Sequence, residues 1–226
     1  MIRLFCLLLL FQTLALPVLA NEDPYEGFNR KIHNFNDFAD QKVIRPIAVG
    51  YDKVMPNPAK RLVTNFFGNL VEVGNGLNNL LQGKPKQAVT DVSRVLVNTT
   101  IGIGGLFDPA TRMGLRASDE DFGQTLAVWG VPRGPYVVLP FLGPSSVRDV
   151  FTRTVDSRLD PLRYYNTVSH RNSLFGFSVL HTRSQLLAAD SVVFGDRYIF
   201  YRDAYLQRRE FQEKDGEIED PFDDEF

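Results

Sequence analysis

Along most of this chain apolar residues recur at three- and four-residue steps, the period of amphipathic helices, and short stretches rich in glycine and proline interrupt them. Asp23-Pro24-Tyr25-Glu26 combines a capping side chain, a proline at the first helical position and a carboxylate three places on, which predicts a helix start. Phe28, Ile32, Phe35 and Phe38 then fall on one face, interrupted by Asn34 and Asn36 on either side of Phe35. Asn57-Pro58 opens a second helix, predicted over 58–82, in which Phe66, Phe67, Leu70, Leu77, Leu80 and Leu81 belong to one apolar face. The other face holds Asn65, Gly68, Asn69, Asn75, Gly76, Asn78 and Asn79, and beyond Lys60 and Arg61 its only charge is Glu72. A solvated helix face usually carries Lys and Glu. Small neutral polar groups fit either a narrow wet lining or a packed core.

The period continues through Ala88, Val89, Val92, Val95 and Leu96 over 85–101 and stops at Gly102-Ile103-Gly104-Gly105, a helix stop and tight turn. A short helix with an acidic first turn is predicted at 119–129. The stretch 130–143 is apolar but contains Gly130, Pro132, Gly134, Pro135, Pro140 and Gly143, too many breakers for a helix, so a hairpin or extended loop is expected. Further helices are expected at 144–155, 172–190 and 196–213. The fold class is therefore mainly α, with one breaker-rich insertion.

The ends read differently. Residues 1–20 have a short basic start at Arg3, an apolar run over 4–16 and a Pro17-Val18-Leu19-Ala20 ending, the pattern of a cleavable export signal. A single helical domain is expected over 21–214, followed by an acidic, disordered tail over 215–226. Beyond residue 20 no apolar run reaches the ~18 residues of an ordinary transmembrane helix. Cys6 is the sole cysteine; Phe5 before it and its early position argue against lipidation at a signal-end cysteine.

Charge and chemistry narrow the function classes. With 25 Lys+Arg against 27 Asp+Glu the chain has a formal net charge of −2, which argues against nucleic acid as a partner. His33, His170 and His181 share no metal-ligand spacing, so no metal and no cofactor is expected; each reads as a surface or interface residue. Gly143-Pro144-Ser145-Ser146 lacks the second glycine of a lipase nucleophile elbow, and Pro144-Ser145 reads as a helix start. Gly102-Ile103-Gly104-Gly105 follows a helix and lacks the Gly-Lys-Ser/Thr ending of a phosphate loop. The expectation is a protein that is not an enzyme.

Several ordered motifs resemble one family over nearly the whole chain. Asp23-Pro24-Tyr25-Glu26-Gly27-Phe28-Asn29-Arg30, Asn34-Phe35-Asn36, Arg45-Pro46, Asn65-Phe66, Asn69-Leu70 and Leu81-Gln82-Gly83 come first. Arg94, Asn98-Thr99 and the glycine turn ending Leu106-Phe107-Asp108 follow, then Phe122-Gly123-Gln124-Thr125-Leu126, Trp129-Gly130-Val131, Gly134-Pro135-Tyr136, Leu139-Pro140, Gly143-Pro144 and Arg148-Asp149. Arg183-Ser184-Gln185-Leu186-Leu187 and Tyr205-Leu206-Gln207-Arg208 close the series. Together they resemble the MlaA/VacJ family.

That resemblance implies a ring of amphipathic helices around a central polar pore on the periplasmic side of the outer membrane, with trimeric porins at its rim. Phospholipid misplaced in the outer leaflet would pass through it to the periplasmic carrier MlaC, preserving lipid asymmetry. Candidate pore residues are Asn65, Asn69, Asn78, Arg94, Asn98 and Thr99. Candidate gating residues are Asn34, Phe35 and Asn36. The candidate regulatory hairpin is Gly130, Gly134, Tyr136, Leu139, Pro140 and Gly143, and Phe66, Phe67, Leu70, Leu77, Leu80 and Leu81 are candidates to face the membrane. A soluble periplasmic lipid-binding protein shares the export signal and apolar content and is the alternative; a secreted lipid hydrolase is a third class, disfavoured by the lack of a nucleophile with a positioned base.

Overall fold

The computed structural model describes residues 23–217, so the expected export signal and the tail beyond 217 lie outside it. The described residues are mainly α-helical. Helix α1 (Glu26–Ala39) runs through a π turn (Asp40–Ile44) straight into α2 (Arg45–Val54). The π turn directly precedes Pro46, whose ring and missing N–H disturb an α-helical ladder; widening one turn lets the helix continue past it. The sequence reading assigned no element to 45–54. Its reading of Asp23 as a helix cap is also corrected. Asp23 is buried and accepts from the Asn29 amide at 2.8 Å and from the Tyr198 hydroxyl, while the cap position falls to Tyr25, which makes no side-chain cap bond.

Helices α3 (Asn57–Leu81) and α4 (Pro85–Thr100) pack along one another across a turn in which Gly83 takes φ 78°. A glycine turn leads to α5 (Pro109–Arg112), capped by Asp108, and α6 (Phe122–Val128), capped by Asp121. The expected hairpin follows as β1 (Tyr136–Leu139) and β2 (Gly143–Ser146), antiparallel, with Tyr136 opposite Ser146 and Leu139 opposite Gly143. It extends further than 143. Pro144 and Ser145 belong to β2, and α7 (Val147–Leu159) starts only after Ser146, whose hydroxyl accepts from Asp149 N at 3.1 Å. Helices α8 (Val168–Gln185) and α9 (Arg197–Glu213) complete the chain, with 3-10 turns at Pro161–Tyr164 and Leu187–Val192.

Burial is inverted relative to a water-soluble domain. Among the described residues the buried apolar ones are six, three of them alanines, and the other three, Tyr136, Val138 and Tyr198, form one small cluster between the hairpin, α1 and α9. Twenty of the described polar or charged residues are buried. Large apolar side chains lie outside instead: Leu77, Leu80 and Leu81 on α3, Val89, Val92 and Leu96 on α4, and Phe151, Phe175 and Phe194 further on are all exposed. Large exposed apolar surfaces mark contact with a partner or a membrane. No helix among the described residues is long and apolar enough to cross a membrane.

Candidate functional site

Asparagines at two-turn spacing tie α1 to the hairpin. Seven residues is close to two helical turns, so Asn29 and Asn36 share one face of α1. Asn29 donates to Tyr136 O at 3.1 Å and accepts from Val138 N at 2.9 Å; Asn36 donates to Leu139 O at 2.9 Å and accepts from Phe141 N at 2.7 Å. Each side-chain amide thus does for β1 what a neighbouring strand would do, satisfying its outer N–H and C=O groups. Phe35 meets Phe141 edge-on at 5.1 Å, and Asn34 is exposed. Of the three candidate gating residues, the structure brings Phe35 and Asn36 to the hairpin.

The hairpin tip is backbone-strained and its root is held by charge. Phe141 takes φ 62° and Gly143 φ 77°, closing a three-residue loop around Pro140. At the root Arg133 pairs with Glu213 of α9 at 2.8 Å, Arg148 also binds Glu213, and Arg209 approaches Asp149 at 3.0 Å. Burial would raise the Asp149 carboxyl, but Arg209, the Tyr205 hydroxyl at 2.6 Å and Arg148 hold it below the usual carboxylate range. Gly130 and Gly134 take positive φ in the approach to β1, and Tyr136 and Val138 point into the apolar cluster.

Beside the tip lies a cavity of about 620 Å³ between α1, the π turn, the hairpin, α8 and α9. Val138, Phe141, Leu142, Val179, Leu186 and Phe200 give it apolar walls. Its polar side is an ion-pair belt. Arg183 grips Asp40 in a two-pronged pair at 2.8 and 2.9 Å and reaches Asp190 at 3.0 Å, while Arg197 pairs with Asp37 at 2.9 Å. Burial would raise the Asp190 carboxyl, but the hydrogen bonds and charges of Arg183 and of Arg45, which donates to it at 3.0 Å, hold it below the usual range. Sequence reasoning missed Asp40, Arg183, Asp190 and Arg197. Arg183 meets Asp190 seven positions on, but its pair with Asp40 and that of Arg197 with Asp37 span long stretches of chain that no local pattern links.

The candidate pore residues occupy a different place, the interface of α3 with α4 and the loops over it. Asn69, Asn78, Arg94 and Asn98 are buried and bonded within the protein, with Asn69 Oδ1 left without a hydrogen-bond partner. Asn69 donates to Thr99 Oγ1 at 3.0 Å, Asn78 accepts from Thr125 at 2.9 Å, and Asn98 donates to Asp108 at 3.0 Å. Arg94 meets Glu72 at 2.6 Å and Leu115 O at 2.7 Å; burial pushes the Glu72 carboxyl up and Arg94 opposes it. Asn65 donates to Leu106 O at 3.0 Å, and Thr99 is exposed. Asn79, read as part of the same face, binds Asp91 at 2.8 Å. The face is a hydrogen-bonded polar spine. Of the candidate membrane-facing residues, Leu77, Leu80 and Leu81 are exposed, and Phe66, Phe67 and Leu70 are half-buried. His181, read as a surface or interface residue, is buried and bonds Tyr51 and Thr64 at 2.9 Å each.

One family model, described as MlaA lipoprotein, matches residues 21–212. The chain belongs to the MlaA family. An intermembrane phospholipid transport system lipoprotein MlaA of Shigella flexneri is 38% identical over 202 residues, covering 87% of this chain and 80% of that protein. The protein of the same name from Escherichia coli K12 is 37% identical with the same coverage, and an uncharacterized protein of Rickettsia bellii is 39% identical over 83% of this chain. A solved structure from work on the structural basis for maintenance of bacterial outer membrane lipid asymmetry superposes with a TM-score of 0.75 at 36% identity, covering 84% of this chain and 98% of that one. MlaA proteins are named lipoproteins, and this corrects the expectation that no cysteine-borne acyl chain is attached. That expectation weighed the residue before Cys6 and its early position, and Cys6 lies outside the described residues.

Proposed function

We propose that this chain transports phospholipid at the outer membrane, withdrawing it from the outer leaflet and passing it to a periplasmic carrier so that the two leaflets stay unlike. The observation that carries this reading is the inversion of burial: a bonded polar interior and an apolar exterior on helices too short or too polar to span a bilayer. Amphipathic helices of that kind lie within one leaflet, with their apolar faces in the acyl region. The surface that a soluble lipid-binding protein would keep polar is here lined by residues such as Leu80, Val89 and Leu96.

The lipid path we place along the cavity beside the hairpin, where apolar walls can take acyl chain and the ion-pair belt can take a headgroup. A passage with both surfaces removes two costs: about 0.8 kcal/mol for each methylene put in water, and at least ~2.5 kcal/mol for a charge put at bilayer depth. The asparagine spine of α3 and α4 then serves as the rigid polar wall behind the membrane-facing leucines. The hairpin, clamped by Asn29 and Asn36, regulates entry, a porin trimer packs on the apolar rim, and the carrier MlaC receives the lipid. No chemical step by this chain is needed.

The test is photocrosslinking in cells with fractionation of the product. A benzophenone amino acid at Val138 or Leu186 should capture phospholipid in the outer-membrane fraction. Capture in a soluble periplasmic fraction would favour a carrier, and no capture at either wall position would remove the cavity from the lipid path.

A further inference from the structure

Two guanidiniums line the cavity, and they are not equivalent. Arg183 is held through its Nε and one Nη, by Asp40 through two bonds and by both oxygens of Asp190 at 3.1 and 3.0 Å. Arg197 makes one ion pair, to Asp37 at 2.9 Å, and lies with its guanidinium carbon 5.8 Å from the Tyr201 ring centre. Its Nε is buried and has no hydrogen-bond partner. Guanidinium offers five N–H donors and no acceptor, so the open valence can be met only by an acceptor, best by an anion with two oxygens.

His33 lines the same cavity and stands against the same groups. Its ring contacts are Tyr198, edge-on at 5.6 Å, and Tyr201 at 5.8 Å. The charges around it are Asp37 and Arg30 on its own helix and Arg197 and Asp196 on α9; burial first, and then Arg197 and Arg30, keep the imidazole below its ordinary pKa against the pull of the two carboxylates. An imidazole and an unfilled guanidinium therefore share one wall of a cavity whose other walls are apolar, with Phe200 and Val138 among them. A phosphodiester on an acyl glycerol has both parts: a bidentate anion for the guanidinium and a chain for the apolar walls.

We propose that Arg197 and His33 form a phosphate-reading site within this cavity, selective for a phosphodiester joined to acyl chains. This rests on the reading of the cavity as the lipid path. The bound anion fills the Arg197 fork while Asp37 keeps its place on the other side, and it favours protonation of His33. The chain thereby distinguishes a phospholipid from an uncharged diacylglycerol of the same chain length.

Histidine NMR on the full-length protein in maltoside micelles tests this, since only three histidines contribute and His33→Gln assigns one of them. Dihexanoyl phosphatidylglycerol should raise the His33 pKa by about one unit. Dihexanoylglycerol and inorganic phosphate at equal concentration should leave it where it is, and Arg197→Gln should abolish the response. No shift with the phosphatidylglycerol in the wild-type protein overturns the proposal even if the variant does not fold. An equal response to inorganic phosphate overturns the lipid assignment, and an undiminished response in folded Arg197→Gln overturns the role of the arginine. Lipid crosslinking at Val138 separates the two levels. Lipid captured there without a His33 response sinks this site alone, whereas no lipid captured sinks the path itself.

Discussion

At Gly105 two constraints meet. Its backbone takes φ 85°, and a Cβ there would lie 2.8 Å from both the Cβ and the amide nitrogen of Asn69, closer than real Cβ contacts come. Gly105→Ala therefore strains the turn and pushes on the polar spine at once, and the expected cost is about 2 kcal/mol, seen as a fall in melting temperature. A variant melting with the wild type would show that the turn and Asn69 give way together. Asp156 tests the interior in another way. Burial first, and then the nearby Asp121, push its carboxyl from 3.8 to about 6, although Phe122 N donates to it at 2.9 Å. The folded chain thus holds this proton more tightly than the unfolded one. The stability it contributes is complete below the ordinary carboxylate pKa and is lost as pH rises through 6. Asp156→Asn removes that loss, so its melting temperature should gain on the wild type as pH goes from about 5 to about 7.5. Taking the difference matters, because burial lowers His33 and His181 and their contribution runs the opposite way. A difference that stays constant with pH would place the Asp156 proton elsewhere.

Among the elements, α1 and the hairpin form the unit with most leverage on the cavity. Asn36→Ala removes both bonds that hold Leu139 and Phe141, leaving the Asn29 pair at the root side. The expected result is faster hydrogen exchange at Phe141 with little change at Val138, and altered lipid flow in a folded protein, read as changed outer-leaflet phospholipid in cells. Exchange unchanged at Phe141 would show that the edge contact of Phe35 with Phe141 suffices. Legibility differed by element. The 3.6-residue period gave α3 and α4 almost to their ends, because each begins with a proline and closes near a glycine. The breaker-rich hairpin was legible as a non-helix, but its second strand was not, since Pro144-Ser145 offers the same signals as a helix start. Helix α2 was hidden by Pro46. The oddness of the asparagine face was visible in sequence, yet its bonding to Ser118, Thr125 and Asp108 depends on loops that fold back over it. The ion-pair belt was invisible, because Asp40 and Arg183 stand 143 residues apart and neither helix needs the charge for its own amphipathicity.

At the scale of the whole molecule, the proposed relation of the apolar exterior to the bilayer is one that a native side chain can report. Trp129 is the only tryptophan of the chain, it is 53% exposed, and its indole N–H donates to Leu81 O at 3.1 Å, next to the exposed Leu80 and Leu81 at the end of α3. An indole with an apolar body and a polar edge settles at the boundary of acyl chains and headgroups. Here the polar edge is already bonded to the helix end, so under the proposed placement the ring would mark the depth at which the α3 leucines leave the acyl region. In vesicles containing brominated phospholipid, Trp129 fluorescence should be quenched, and more strongly by bromine near the glycerol than by bromine deep in the chain. Leu80→Lys, which puts a charge on the adjoining face, should shift the protein toward the surface and weaken the quenching, since a lysine at depth costs ~2.5 kcal/mol or more. Unquenched fluorescence in vesicles to which the protein is bound would mean that the α3 tip faces water, and the apolar belt would then have to meet another protein instead of lipid.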